Sequence, residues 1–575
     1  MSLQIRRGFS AFVILSLAFQ IGCLKAPPED VGTEEGRKEV CEYWPEKLTV
    51  ASKVDKAFKL ITEAKCSSAL PKLEELFNEG VERGRIIDAV REIGDKGASV
   101  GILRAALKDS NVAPKAATIA ASWRLSELTN DLVTFTEESE EHRKAGLDAL
   151  LAVSDAKKHE DLLIGLAKAN PNVQDLKVNE KALSALAKIG STKGTPAVVA
   201  AAFMRNQHGK NVYPAARLAL SKLPKEAAEN LKKVADGSLG TVKQMAKSLN
   251  LASWKIQGNQ ILAQLLADTL DESASLPLAK ILAKHRTVPM GLSKKDCETQ
   301  PGGRKCKQYQ QWDMHWINQH QYAHIGLGKL PPNAEAAEEL TKLVLAGNAP
   351  GILTTHHRLF AANALSYMGS PEAVKGLFKA WDEDPEWPTM GKDMPPKEKR
   401  KGADFLGLLT RPLVMAVGYE DLPELEKRWA KPLRYNTVVS PANAVAARMN
   451  LPHVQAVLGS LKECKIDGAC WIKTLEENKM EDNTDRDLFI KATLMLTRSF
   501  VNASDARKAL LSKLKRIKDS KPVQYRKFCL NALARIGDKK TGEELIKLSK
   551  DPNVGKQSWK DNYAVLGNAL MARNK

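Results

Sequence analysis

Aromatic residues are scarce in this chain of 575 residues, at 6%. Runs in which Val, Ile and Thr alternate with polar residues are nearly absent. Both shortages argue against a sheet-built core, and the abundance of Ala, Leu and Lys argues for helices. Catalytic signatures are missing as well. There is no G-x-S-x-G elbow, no Walker loop, no G-x-G-x-x-G between a strand and a helix, and no H-E-x-x-H. No C-x-x-C occurs, which removes zinc ribbons and haem attachment. Acidic clusters such as Glu137, Glu138, Glu140 and Glu141 fit solvated helix faces better than acid–base pairs. The expectation is therefore a chain that is not an enzyme and carries no cofactor.

A hydrophobic content of 43% and a charged content of 27% suit a folded chain. Four segments align: IIDAVREIGD (86–95), KALSALAKIGS (181–191), FAANALSYMGS (360–370) and CLNALARIGD (529–538). In each, apolar residues recur three and four apart, so one helical face is apolar. The glycine stands where a helix stops, since glycine takes the left-handed C-cap at little cost. A second apolar segment follows Gly190, Gly369 and Gly537. Weaker copies lie at 143–153, 215–224 and 324–332. These units resemble HEAT repeats, particularly the short bacterial type also seen in phycobilin lyases. The resemblance implies an all-α solenoid of stacked helix pairs over 51–575, with a concave face. Two segments are expected to interrupt it as loops, near 286–312 and 382–402, because Pro and Gly break their periodicity.

The first residues read as an export signal. Arg6 and Arg7 form a basic start, and the apolar stretch from Phe9 to Phe19 is too short to span a bilayer. Ile21, Gly22 and Cys23 then resemble the lipobox of bacterial lipoproteins, with Gln20 standing where an aliphatic residue is usual. The resemblance implies a signal peptide over 1–22, lipid on Cys23, and a tether over 23–50. It also implies a place in the cell envelope, and Leu24 after the anchor points to the outer membrane, facing the periplasm or the cell surface. The export signal argues against carrying over bilin chemistry. Removing Arg6 and Arg7 takes the net charge from +19 to +17. Such a basic chain suits protein partners, anionic glycans or lipopolysaccharide, with no nucleic acid expected.

Three cysteine pairs have spacings suited to disulfides in an oxidising compartment: Cys297 with Cys306, Cys464 with Cys470, and Cys41 with Cys66. Cys529, on the apolar face of a repeat helix, is expected to be a buried thiol. Histidine is the residue that clusters. His315, His320, His324, His356 and His357 fall close together, with Trp312, Trp316 and Tyr322 beside them. His320 and His324 share a helical face. Two readings stand: a polar–aromatic binding patch, and a metal or cofactor site serving an enzyme or sensor.

Overall fold

The computed structural model describes residues 26–237, 254–283, 291–346, 355–383, 404–430 and 446–574. The signal peptide, Cys23 and residues 384–402 lie outside them. Among the described residues the chain is all-α, and its one β feature is an isolated bridge between Arg205 and Asn211. No helix among them is long and apolar enough to cross a membrane. Helices pack chiefly on their neighbours in sequence, as in Thr129–Glu138 on Arg143–Val153 and Ala334–Leu345 on Thr355–Met368. That is the solenoid-like pairing the repeats imply. The chain forms two compact units, Met1–Lys158 and His159–Lys575, where a single array was expected.

The first unit begins earlier than the expected tether allows. Thr33 accepts from Gly36 N and caps a helix, Glu34–Tyr43. Val40 and Trp44 are buried, and Cys41 bonds Cys66. Residues 34–48 therefore belong to the fold; their many charges conceal a short apolar face. The expected loop at 286–312 also needs correction over its described part. Lys295–Thr299 and Arg304–Leu327 are helices, joined by the Cys297–Cys306 disulfide. Trp312, Trp316, His320, Ala323 and Leu327 are buried along the longer helix at helical spacing. Its core stripe is written in Trp and His, so apolar periodicity was faint.

Three of the four repeat glycines take the left-handed C-cap: Gly94, Gly190 and Gly369, at φ +82°, +66° and +60°. Gly537 does not; it is extended at φ −67° and ψ 146°. Glycine is needed there for space, because a Cβ would stand 2.3 Å from Leu533 O and 2.8 Å from Leu570 Cδ1.

A polar residue eleven positions before each repeat glycine closes the preceding helix. Arg83 Nε donates to Phe77 O at 3.0 Å. Asn179 Nδ2 donates to Leu166 O, Ala167 O and Ala169 O at 3.0, 3.3 and 3.1 Å. Arg358 Nε donates to Val344 O at 2.8 Å, and Arg526 Nη2 donates to Ile517 O. In the weaker copy at 143–153, Arg143 Nε donates to Thr136 O at 2.9 Å. A helix ends with unpaired carbonyls and a partial negative charge, and an Arg from the next helix answers both. Lys491 does the same within the second unit, donating to Val414 O and Met415 O at 3.0 and 3.1 Å and to Val417 O. A few of the chain's cations, Arg358, Lys491 and Arg526 among them, are therefore spent inside the fold.

The second unit folds back on itself. Its last helix, Gln557–Arg573, packs on Lys539–Ser549 and also on Tyr213–Leu220, Pro224–Ala235 and Trp254–Asp268. Asn568 Nδ2 donates to Ser221 Oγ at 3.4 Å. Asn531 Nδ2 donates to Ile325 O at 2.9 Å, and Arg535 donates to Met368 O and Tyr367 O, each at 2.9 Å. The chain's own C-terminal helices thus pack against helices from the start and middle of this unit.

Candidate functional site

Five helices meet at that closure and leave a cavity of about 340 Å³. Tyr213–Leu220, Trp254–Asp268, Arg304–Leu327, Val523–Ile536 and Gln557–Arg573 supply its wall. One side holds a buried ion triad. Arg217 Nε donates to Asp268 Oδ2 and Lys329 Nζ to Asp268 Oδ1, both at 2.6 Å. Arg217 and Lys329 hold the Asp268 carboxyl below the usual carboxylate range despite its burial. Burial pulls the Lys329 ammonium down, and Asp268 partly restores it. The Gln264 amide, oriented to satisfy both neighbours, donates to Tyr213 Oη at 2.7 Å and accepts from Arg217 Nη1 at 3.2 Å. Such a network resists rearrangement, because each buried charge would be left unpaired by the loss of its partner.

The other side is aromatic and apolar, with Tyr322, Leu530, Trp559 and Val565. Lys527 Nζ lies 5.6 Å over the Tyr322 ring. Among the described residues no carboxylate pairs with Lys527, and burial lowers its pKa. Asp561 also lines the cavity and accepts from Gln557 Nε2 at 2.8 Å. The cavity wall thus holds three cations (Arg217, Lys329, Lys527) against two carboxylates (Asp268, Asp561), a net +1.

Of the residues singled out by sequence, Tyr322 alone lines this cavity. Trp316, His320, His324 and His357 come together elsewhere, on the opposite face of the Arg304–Leu327 helix. His320 packs 4.2 Å from Trp316, 5.1 Å from His357 and 5.7 Å from Phe360, between ring centroids. His324 lies 5.0 Å from Phe360 and 5.8 Å from Tyr367, which meets Phe528 at 4.8 Å. This is an interhelical aromatic core. Trp312 is buried and packs on Tyr309. His315 is half-buried against Gln260 Oε1, at 3.3 Å. The His356 side chain lies outside the described residues.

The packing does not give the convergence of His320, His324 and His357 on a metal. Among the described residues no group of three His, Cys, Asp or Glu is placed to hold one. The rings face aromatic neighbours and main-chain oxygens. His324 Nδ1 donates to His320 O at 2.8 Å. His320 Nδ1 lies 2.8 Å from Trp316 O, and the Leu282 backbone also meets the ring. His320 stands eleven residues before Pro331, which replaces the glycine in that repeat copy. It occupies the carbonyl-closing position that Arg358 fills one repeat later. Burial lowers the pKa of His320 to about 3 and of His324 to about 4.

All three expected disulfides are formed: Cys41–Cys66, Cys297–Cys306 and Cys464–Cys470. Cys529 is a buried free thiol whose pKa burial pushes up.

Neither a family model nor a curated protein matches the chain. Among solved structures, the crystal structure of an engineered protein is similar, with 17% identity over 86% of this chain and 98% of its own, at a TM-score of 0.24. A likeness that slight carries no argument, and the architecture rests on the helix pairing itself.

Proposed function

We propose that this chain is an exported, lipid-anchored binding protein of the bacterial envelope, built from HEAT-like helical repeats and without catalytic activity of its own. The observation that carries the reading is the pairing of Cys41, Cys297 and Cys464 with Cys66, Cys306 and Cys470. Stable disulfides belong to oxidising compartments. The lipobox-like Ile21-Gly22-Cys23 supplies the anchor, and acyl chains on Cys23 hold the protein at a membrane. Its partners are envelope proteins, or anionic glycan or lipopolysaccharide.

Fractionation of cells carrying the wild type and Cys23→Ser tests the anchor, and thiol trapping on the same cells tests the compartment. The wild type is expected in detergent-extracted membranes with six cysteines protected from alkylation. Cys23→Ser is expected in the soluble fraction. A Cys23→Ser protein that stays membrane-bound, or six reactive thiols in the trapped wild type, refutes the reading. Crosslinking in intact envelopes should also recover a stoichiometric partner.

A further inference from the structure

The cavity at the closure of the second unit has an uneven charge arrangement. Arg217 and Lys329 are both engaged by Asp268, so neither is available to a ligand without breaking a buried pair. Asp561 is held by Gln557. Among the described residues Lys527 is the cation of this wall that no carboxylate pairs with, and its Nζ lies over the Tyr322 ring. An ammonium half-removed from water with no counterion is unfavourable unless an anion joins it. At about 340 Å³ the space lies at the lower end of the range for small-molecule sites, roughly 300–1,000 Å³. The net +1 of the wall suits one negative charge and not two. Tyr322 and Trp559 offer flat faces to a ring.

We propose that this cavity binds a small monoanionic carboxylate with an apolar ring. The acid group sits on Lys527 Nζ, and the ring lies among Tyr322, Leu530 and Trp559. The Tyr213 hydroxyl accepts from Gln264, so its own proton is free to donate to a second polar group of the ligand. The closure between Tyr213–Leu220 and Gln557–Arg573 then has a use: it builds the site from helices far apart in sequence. The inference goes beyond the export reading and holds whether or not Cys23 carries lipid.

Isothermal titration of the purified full chain with 1-naphthoate, 1-naphthamide and 1-naphthyl phosphate tests it, with matching titrations into detergent alone. Naphthoate should bind at one site per chain. It should bind about tenfold or more tighter than the neutral amide, the discrimination of one charge-assisted hydrogen bond. The dianionic phosphate should bind more weakly than the carboxylate. Lys527→Met should abolish the acid-over-amide preference, and Lys527→Arg should keep it. Leu218→Trp should block both ligands; Leu218 is 39% exposed at the rim, so the change leaves the core packing alone. Equal binding of acid and amide, binding of neither, or a preference that survives Lys527→Met overturns the proposal. Tighter binding of the phosphate overturns the carboxylate class. None of these results bears on the fractionation of Cys23→Ser, so the two readings fail separately.

Discussion

Replacing Arg358 by Met separates the role of the carbonyl-closing cation from its bulk. Arg358 is fully buried, its Nε lies 2.8 Å from Val344 O, and its guanidinium sits 3.6 Å from the Phe405 ring centroid. Methionine keeps much of the volume and loses both interactions. A hydrogen bond to a charged group contributes about 1.5–3 kcal/mol, and a desolvated cation–π contact about 2 kcal/mol. Relief of the cation's own desolvation offsets part of this. The expected net loss is about 2–4 kcal/mol. Arg83 holds the same repeat position but its side chain is 41% exposed and pairs with Asp109 at 2.9 Å. Water takes over much of its work, so Arg83→Met should cost about 1 kcal/mol or less. Hydrogen exchange read by mass spectrometry on peptides spanning 70–93 and 334–368 reports each unit by itself. Equal losses at the two positions, or a loss below about 0.5 kcal/mol for Arg358→Met, would refute the claim that burial sets the strength of this contact.

Acid should destabilise the second unit through its buried histidines. His320 and His324 have folded pKa values of about 3 and about 4, below the 6.5 of an exposed histidine. The unfolded chain therefore binds protons first, and stability should be full above about pH 6.5 and fall between pH 6.5 and 3. Urea titrations should show a shallower pH slope for His320→Gln with His324→Gln; an unchanged slope would place the acid sensitivity elsewhere. Cys41→Ser with Cys66→Ser opens a span of 25 residues and should cost about 3.5 kcal/mol on the chain-entropy relation. Opening the six-residue span of Cys464 and Cys470 should cost about 2.2 kcal/mol. Thermal melts that reverse this order contradict a chain-entropy origin. Gly190→Ala should cost about 1 kcal/mol through its left-handed φ alone, since a Cβ there meets nothing within 4 Å. Gly537→Ala should cost more, for lack of room, and melts that rank the two the other way would refute that account.

The repeat was legible because glycine and small apolar residues recur in fixed phase, as at 181–191 and 529–538. The disulfides were legible because short spacings leave few pairings. The helix at Arg304–Leu327 was hidden, since Trp312, Trp316 and His320 stand where leucines usually mark a core. The cavity was hidden for a different reason. Arg217, Asp268, Lys329 and Lys527 come from segments separated by up to hundreds of residues, and no local spacing announces that the last helix returns to Tyr213. One signal was present and unread: a polar residue at constant distance ahead of the glycine, in Arg83, Asn179, Arg358 and Arg526 alike. The His cluster looked like ligation chemistry because imidazoles at i and i+4 serve metals and helix packing equally well, and only tertiary packing separates the two.

Where a helix pair grips only the pair before it, as at Arg83, Arg143 and Asn179, the chain is easy to lengthen or shorten in whole steps. Copying one full period duplicates both the hand and the hold it grasps, so nothing is left ungrasped. Cutting within a period strands main-chain oxygens in an apolar interior. Growth by tandem duplication is thus tolerated in one phase and punished in every other, which is a rule about ancestry as much as about stability.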